Sequence, residues 1–428
     1  MNLLRAALAA AALVLGAHAP ITSAAPLSLN DAFARVIDHH PELQRLQFAL
    51  DTQAAEAERA AQRPALRLGA SVENALGSGA AHGLDGAELS LSLASLFERG
   101  GKRAARIEFA ELQRSGIDWQ RQTLQLDLLA EVARRYLDAV AAAEQQALAQ
   151  EDLRQREAAL KAIEQRVRAG STPQSAQRVA EAARIRAEGE VAAAARQQQR
   201  ALRSLSALWG AALEPIELAT RDLSVLPPVP DLASLQTLLQ RSPALRRFAD
   251  EARLREARLQ LARSSGVADV EWQFGLRRLQ AERDWGLIGS VSIPFGSAGR
   301  AAPSIRGAES ELAALALERE TTARGLESTL VEVWSALDAA VDAAGRIERD
   351  LLPALAQAEQ AVERAYRAGA VGHLDWLQIQ AEQLDARQQR LQQRLAAHRA
   401  LIELQRLTGE ALVDPTRALA PTSAETTP

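Results

Sequence analysis

The stretch Glu88-Leu89-Ser90-Leu91-Ser92-Leu93-Ala94 decides the fold of this chain. Apolar and small polar side chains alternate along it, and a period of two is typical of a β-strand with one apolar face and one polar face. It leads directly into Phe97-Glu98-Arg99-Gly100-Gly101-Lys102-Arg103, where two glycines permit a sharp change of direction. About 65 residues of helical sequence follow before the next proline, Pro173. The stretch therefore predicts a strand that turns into a very long helix.

The same pattern occurs a second time, about 200 residues later. Trp285-Gly-Leu-Ile-Gly-Ser-Val-Ser-Ile293 alternates in the same way, and after Phe295-Gly-Ser-Ala-Gly-Arg300 it opens another long helix. A helix of some 65 residues would be about 100 Å long at the usual rise per residue. No globular domain is that thick, so the helices must extend well beyond an ordinary core.

Composition supports long packed helices and argues against several classes of function. Among the 428 residues only 4% are aromatic, while Ala, Leu, Gln, Glu and Arg dominate. The net charge of −4, with both signs interspersed, predicts no nucleic-acid partner. The absence of cysteine excludes disulfides, zinc–thiolate sites and a cysteine nucleophile. The sequence shows no catalytic triad, metal-ligand cluster or phosphate-binding loop, so it predicts neither an enzyme nor a cofactor.

Residues 1–24 are predicted to be a secretory signal. Arg5 supplies the positive charge, Ala6 to Ala17 the apolar core and Thr22-Ser23-Ala24 a small-residue cleavage site. No later stretch approaches the roughly 18 uninterrupted apolar residues of a membrane-spanning helix. If the exported chain enters a membrane, it must do so with strands.

The remaining sequence divides into two similar halves. His40-Pro41-Glu42-Leu43 is echoed by Ser242-Pro243-Ala244-Leu245, and Arg168-Ala169-Gly170 by Arg367-Ala368-Gly369. The predicted organisation is a first repeat over 25–220 (strand hairpin 66–96, long helical hairpin 104–210), a proline-rich linker over 221–231, a second repeat over 232–413 (strand hairpin 270–294, long helical hairpin 301–409) and a disordered tail over 414–428. Leucines and a valine spaced by seven, such as Leu153, Leu160 and Val167, predict coiled-coil seams.

Each predicted strand has one apolar and one polar face. The apolar residues are Leu68, Ala70, Val72, Leu89, Leu91, Leu93, Val270, Trp272, Phe274, Leu287, Val291 and Ile293. Apolar outside and polar inside is the pattern of an outer-membrane barrel. Four strands cannot close a barrel, because eight is about the practical minimum. The chain is therefore expected to oligomerise, and a trimer would supply twelve strands. The other interpretation is that these are ordinary half-buried strands of a soluble protein.

The chain as a whole resembles the TolC-like outer-membrane efflux proteins, the exit ducts of tripartite pumps. The resemblance rests on the duplicated plan, the two strand pairs and the Arg-Ala-Gly tips, and covers roughly residues 27–415. Phe97-Glu-Arg-Gly-Gly-Lys-Arg103 looks like the strand-to-helix junction of the branch that serves heavy-metal pumps of the cobalt–zinc–cadmium type. The equivalent junction of the second half, Ile293 to Arg300, is shorter and richer in glycine than is usual there.

The resemblance implies a mainly α fold with a small transmembrane β-barrel contribution: a homotrimer with a twelve-strand barrel in the outer membrane of a Gram-negative bacterium and an α-helical tunnel across the periplasm. Its partners would be outer-membrane lipid, a periplasmic adaptor and an inner-membrane pump. Heavy-metal cations are the expected cargo. A multidrug or type I secretion duct has the same fold and remains an alternative.

Three groups of residues are expected to serve such a duct. By the resemblance, Asp375 matches an aspartate that lines the periplasmic aperture. The two helical tips, marked by Arg168 and Gly170 and by Arg367 and Gly369, would contact the adaptor. Gly100, Gly101, Lys102 and Arg103 form the strand–helix junction, where the two basic side chains would lie near lipid headgroups or a neighbouring protomer's acids.

Two rival readings fit the sequence less well. A periplasmic adaptor is also exported and also carries a helical hairpin, but it should have one hairpin flanked by β-rich segments. A soluble coiled-coil structural protein leaves the four alternating strands unexplained. The alternative to an aperture role for Asp375 is that it is a solvated aspartate, favoured by the dipole at a helix N-terminus.

Overall fold

A computed structural model describes residues 26–211, 216–219, 223 and 225–410. The predicted signal, the start of the linker and the tail from 414 lie outside this part of the chain. The main elements are α1 (Leu29–His39), α2 (Pro41–Ala61), β1 (Arg67–Glu73), β2 (Glu88–Phe97), α3 (Lys102–Arg168), α4 (Gln174–Ser206), α5 (Leu232–Gln240), α6 (Pro243–Ser264), β3 (Val270–Leu279), β4 (Asp284–Ser292), α7 (Ser297–Arg346), α8 (Leu352–Arg367) and α9 (His373–Thr408). The predicted mainly helical fold with four strands is confirmed.

Both long helices begin earlier than the sequence predicted. α3 starts at Lys102 rather than at residue 104, and α7 at Ser297 rather than at 301. The N-cap residues Gly101 and Gly296 both adopt the left-handed conformation, with φ of 72° and 77°. Since one glycine completes the turn, the helix starts immediately after it.

The four strands form one antiparallel sheet in the order β1-β2-β3-β4. β2 pairs with β3 over its whole length, from Glu88 opposite Leu279 to Phe97 opposite Val270, so the sheet joins the two halves of the chain. β1 and β4 are left as the outer strands. All helices leave the sheet at one end, marked by Arg67, Phe97, Val270 and Ser292.

The helices pack in antiparallel pairs, α3 along α4 and α7 along α9. The predicted seam residues Leu153, Leu160 and Val167 are only half-buried. Buried residues at a spacing of seven include Ala180, Ala187 and Ala194 in α4, Ala301, Ala308 and Leu315 in the first part of α7, and Leu330, Leu337 and Ala344 further along it. Small alanine side chains let neighbouring helices approach closely, and a spacing of leucines alone does not indicate such a contact.

One π-helical turn, Ile347–Leu351, interrupts the second hairpin between α7 and α8. Beside it the guanidinium of Arg394 on α9, 7% exposed, pairs with the Glu348 carboxylate at 2.7 Å. Such turns insert one extra residue into the helical ladder and change its direction. The predicted span 301–409 is therefore not a single uninterrupted hairpin.

The largest cluster of buried apolar residues lies where the short helices meet the long ones. Leu27, Val132, Tyr136, Leu205 and Leu223 belong to it. The Tyr136 hydroxyl lies 3.0 Å from the Leu27 carbonyl oxygen and 2.9 Å from that of Ala219, so it binds the start and the end of the first half together. Within the part of the chain that the structure covers, no helix is long and apolar enough to cross a membrane.

Gly100 and Gly101 allow a direct test of this geometry. Both have positive φ, but a Cβ at Gly100 would lie 2.6 Å from the Val267 side chain, whereas a Cβ at Gly101 would meet nothing within 4 Å. Gly101→Ala should cost about 1–2 kcal/mol from the backbone alone. Gly100→Ala should cost a further ~1–3 kcal/mol from overpacking.

Thermal unfolding of the two purified variants in detergent measures the difference. Gly100→Ala should have the lower melting temperature. Equal melting temperatures would show that the two junction glycines serve only the backbone turn.

Candidate functional site

The register of the sheet separates an apolar face from a polar one. Leu68 lies opposite Leu93, Leu93 opposite Phe274, and Leu91 opposite Leu276, and residues directly opposite each other share a face. This face is exposed in the isolated chain: Leu68, Leu276 and Leu287 are 75%, 48% and 86% accessible. An apolar face of this size needs a covering, which for a membrane protein is lipid.

The opposite face carries an ion network at the end of the sheet far from the helices. Arg277 of β3 donates to Glu88 Oε2 at 2.6 Å and to Ser90 Oγ at 3.0 Å, and it lies 3.5 Å from Glu73 Oε2. Asn74 donates to the other oxygen of Glu88 at 2.8 Å. Arg277 therefore ties three strands together and offsets part of their negative charge on this face.

At the other end of the sheet, the two predicted basic residues of the junction find partners within the chain. The ammonium of Lys102 pairs with Asp269 Oδ2 at 2.7 Å, and its side chain is only 16% exposed. Arg103 Nε donates to the Ala61 carbonyl at 2.7 Å. Both basic side chains therefore have a partner within the chain, and their contact with headgroups or with a neighbouring protomer stays a prediction.

Asp269 is the centre of this junction. It also accepts the backbone N–H of Arg99 at 3.0 Å, so it joins the end of β2 to the start of β3. Burial alone would raise the pKa of Asp269, but the hydrogen bonds from Lys102 and Arg99, with the charges of Lys102 and Arg106, outweigh it and hold the pKa below its ordinary value. Arg106 in turn forms a two-pronged ion pair with Glu98.

The two helical tips have the same backbone geometry. Gly170 and Gly369 both adopt the left-handed conformation, with φ of 72° and 76°. After α3 the N–H of Ser171 donates to the Arg166 carbonyl at 3.0 Å, and after α8 that of Ala370 donates to Ala365 at 2.9 Å. Both ends are Schellman motifs, in which glycine satisfies the last carbonyls of the helix. The repeated Arg-Ala-Gly thus reflects one repeated turn.

The predicted tip arginines remain on the surface. The Arg367 guanidinium pairs with Glu363 one turn earlier, and Arg168 Nε makes a long contact of 3.4 Å to the Glu164 carbonyl. Both tip glycines have open space around them, since a Cβ at either would meet nothing within 4 Å. The tips therefore present accessible backbone and exposed basic side chains.

A stack of three side chains connects the two tips to the start of α9. The guanidinium of Arg166, from the first tip, lies 4.2 Å from the centre of the Tyr366 ring of the second. The Trp376 ring follows at 5.5 Å from Tyr366. A cation over an aromatic face is favourable, and Tyr366 is largely buried here. The stack fixes the backbone beside Asp375 against both hairpins.

Asp375 occupies the third position of α9 and is exposed in the isolated chain. Its Oδ2 accepts the backbone N–H of Gly372 at 2.9 Å, so it satisfies one of the free donors of the helix start. A capping role is therefore present whatever else this aspartate does. Among the described residues, no group of three or more His, Asp or Glu side chains is arranged to hold a metal ion.

Comparison with known proteins identifies the family. The outer membrane efflux protein family matches residues 34–211 and, a second time, residues 234–410. The chain belongs to the outer membrane efflux protein family. It is an efflux channel protein of the outer membrane of Gram-negative bacteria, with its helices in the periplasm. Members of the family form trimeric channels that work with an adaptor and an inner-membrane pump.

Two curated relatives of this efflux protein are named for metal resistance. The cobalt-zinc-cadmium resistance protein CzcC of Cupriavidus metallidurans is 29% identical over 293 residues, which are 68% of this chain and 69% of that protein. The nickel-cobalt-cadmium resistance protein NccC of Alcaligenes xylosoxydans xylosoxydans is 30% identical over 251 residues, 58% of this chain and 56% of NccC. The second alignment thus spans little more than half of either chain.

The solved structures extend the likeness to the whole fold. The crystal structure of CusC superposes with a TM-score of 0.74 at 18% identity, and covers 90% of this chain and 92% of CusC. At an identity this low, the superposition establishes only the fold of the efflux protein and not its cargo.

Sequence reasoning missed Asp269, Arg277 and the stack on Tyr366. Their partners lie far away in sequence: Asp269 is 170 residues from Arg99, and Arg277 is 189 residues from Glu88. No local spacing in the sequence predicts such pairs. The pairing of β2 with β3 places Arg277 directly opposite Ser90 and two residue pairs from Glu88.

The junction ion pair should contribute stability that depends on pH. Asp269→Asn in the efflux protein leaves the half-buried Lys102 without its counter-charge and should cost about 1–2 kcal/mol at pH 7. Because the folded protein lowers the pKa of Asp269, the wild-type advantage is present above the unfolded pKa of about 3.9 and is lost as the pH falls through the lower folded value.

Unfolding by denaturant at pH 7 and at pH 3 measures this difference. Asp338→Asn, at an exposed aspartate of α7 without an ion pair in the described structure, is the matched control. A cost for Asp269→Asn that stays constant between the two pH values, or that equals the control's cost, would show that the pair does not stabilise the junction.

Proposed function

We propose that three copies of this protein close a twelve-strand barrel and continue it as a helical duct, through which a tripartite pump exports heavy-metal cations. The observation that carries the proposal is the four-stranded sheet, with one exposed apolar face and two open edges.

We also infer that the chain is a duplication, with repeats at 25–220 and 232–413 around the linker 221–231. The two family matches, 34–211 and 234–410, support this division.

The need for further copies of the chain follows from the edges of the sheet, and the trimeric channels of the family set their number at three. In lipid every backbone N–H and carbonyl must find a partner, so an open sheet edge is not tolerated there. β1 and β4 each have one unpaired side in the single chain. Since β1 runs away from the helices and β4 back towards them, β1 of one protomer and β4 of the next are antiparallel. Three chains of four strands give twelve, an even number above the practical minimum of about eight.

Two independent observations favour a metal cargo. The names of CzcC and NccC attribute cobalt, zinc, cadmium and nickel resistance to those proteins. The polar face, which becomes the barrel lumen, carries Glu73, Glu88 and Asp284 at one level against the single charge of Arg277. Charged rings of this kind set the selectivity of pores, and an acidic excess favours cations.

Asp375 is the proposed periplasmic aperture. A threefold axis beside the start of α9 would bring three carboxylates together, and each would face the path of the cargo. The Arg166–Tyr366–Trp376 stack supports this role because it holds the start of α9 against both hairpins. The tips at Arg168 and Gly170 and at Arg367 and Gly369 are the proposed contacts of the adaptor, since they present equivalent turns with open space around them.

Single-channel recording in planar bilayers tests the duct and its aperture. The wild type should form a small, cation-selective conductance that divalent cations block. Asp375→Asn should weaken that block by roughly tenfold, because each of three carboxylates loses its charge.

Asp31→Asn is the matched control. Asp31 also occupies the third position of a helix and accepts the Ser28 N–H at 3.0 Å, but it lies in α1, away from the tips. The two variants lose the same kind of cap, so only Asp375→Asn should change the block. An equal change in both would assign Asp375 to capping alone, and a wild type without any conductance would contradict the duct.

A further inference from the structure

We propose that Arg278 and Arg283, at the outer end of the sheet, bind the phosphate of a lipid in the outer leaflet of the outer membrane. The site rests on the proposed barrel, because it needs the apolar face of the sheet to meet lipid. It requires no other chain, so each protomer would hold one such site.

The register places Arg278 on the lipid side. Arg278 lies directly opposite Leu89 of β2 and Trp285 of β4, and the next pair on the same face is Leu91 with Leu276. The preceding residue, Arg277, points to the other face and its ion network. Two adjacent arginines therefore serve opposite sides of the barrel wall.

The level of Arg278 is that of the lipid headgroups. The helices leave the sheet at its other end and occupy the periplasm, so the turn after β3 is at the outer surface. β3 has 10 residues, close to the ~9–11 that cross a bilayer, and Arg278 is its last but one. Trp285 is 67% exposed at the same level, where aromatic residues mark the interface of membrane and water.

The structure holds the Arg278 guanidinium in place without neutralising it. It lies 5.4 Å from the centre of the Trp285 ring, and its Nη1 donates to the Arg283 carbonyl at 2.7 Å. Within the described structure neither Arg278 nor Arg283 has a carboxylate in ion-pair distance, although Glu282 lies in the same turn. Arg277 next to it pairs with Glu88. The hydrogen bond to the Arg283 carbonyl uses Nη1 alone, which leaves the Nε and Nη2 donors of Arg278 for a partner outside the chain.

A lipid phosphate matches these donors. The planar guanidinium binds phosphate oxygens through two parallel hydrogen bonds, and stacking on an aromatic ring orients it beforehand. Arg283 adds a second positive charge from an exposed position in the turn, where its φ of 60° is left-handed. Clustered arginines at the membrane surface attract anionic headgroups, and the apolar residues below, Leu89 and Leu276, fit the acyl chains. Phosphorylated glucosamine of the lipid A type is the outer-leaflet headgroup with this chemistry.

Native mass spectrometry of the purified trimer with diphosphoryl lipid A tests the site. Wild type should carry up to three bound lipid A molecules. The double variant Arg278→Gln/Arg283→Gln should reduce the bound lipid A at least about fivefold. Arg278→Lys, which keeps the charge but loses the planar fork, should bind at an intermediate level. Arg277→Gln, the same change one residue earlier on the opposite face, should retain the lipid.

Two further binding measurements identify the chemical group that is bound. Fully dephosphorylated lipid A has the same acyl chains and should bind no better to wild type than to the double variant; equal binding of both lipids would overturn the proposal. Displacement of lipid A by excess inorganic phosphate would assign a free-anion site and also overturn it. A wild-type trimer that binds no lipid A would refute the lipid site but leave the duct, whereas a wild type without a trimer would contradict the barrel itself.

Discussion

The structure depends on one constraint, that a β-sheet placed in lipid must leave no backbone edge unpaired. The chain provides four strands in one antiparallel sheet, with β1 and β4 open on their outer sides. The apolar face of the sheet is exposed, which is unfavourable in water and favourable in lipid. Together these features require other copies of the chain, and the even number of strands lets every junction between copies be antiparallel.

The junction between sheet and helices converts that small sheet into a long duct. Glycine caps at Gly101 and Gly296 turn each strand into a helix within a few residues, and α3, of 67 residues, is about 100 Å long. Asp269 fastens the second half of the chain to the first through Lys102 and Arg99. The barrel segment of each protomer is therefore fixed on its helices by charge as well as by the chain itself.

Periodic features of this fold were predictable from the sequence, and contacts over long distances were not. The period of two along Glu88–Ala94 and the duplicated tips lead to strands and helical hairpins whose ends differ from those observed by a few residues. The leucine spacing predicts a seam at Leu153 and its repeats, which are only half-buried, whereas buried alanines such as Ala187 occur at that spacing in α4. The π turn Ile347–Leu351 has no pattern that marks it in advance.

In the candidate sites too, local features were predictable from the sequence and long-range contacts were not. The tip glycines Gly170 and Gly369 have the left-handed geometry that glycine allows. The partners of Lys102 and Arg277 depend on the pairing of β2 with β3, which sets residues nearly 190 apart side by side. Local spacing contains no information on that pairing. For Asp375 the structure adds the cap on Gly372, and its place at an aperture depends on copies of the chain that only an assembly would bring together.

Disulfide cross-linking between β1 and β4 in intact outer membranes tests the central claim most directly. The chain has no cysteine, so Ser71→Cys on β1 and one cysteine on the same face of β4, at Gly286, Ser290 or Ser292 in turn, would be the only thiols. Facing residues of antiparallel strands lie about 4.5–5.5 Å apart at Cα, within the range of a disulfide. For at least one of the three pairings the account predicts covalent dimers and trimers and nothing larger. Ladders that continue beyond three chains, or chains that stay monomeric in every pairing, would contradict it.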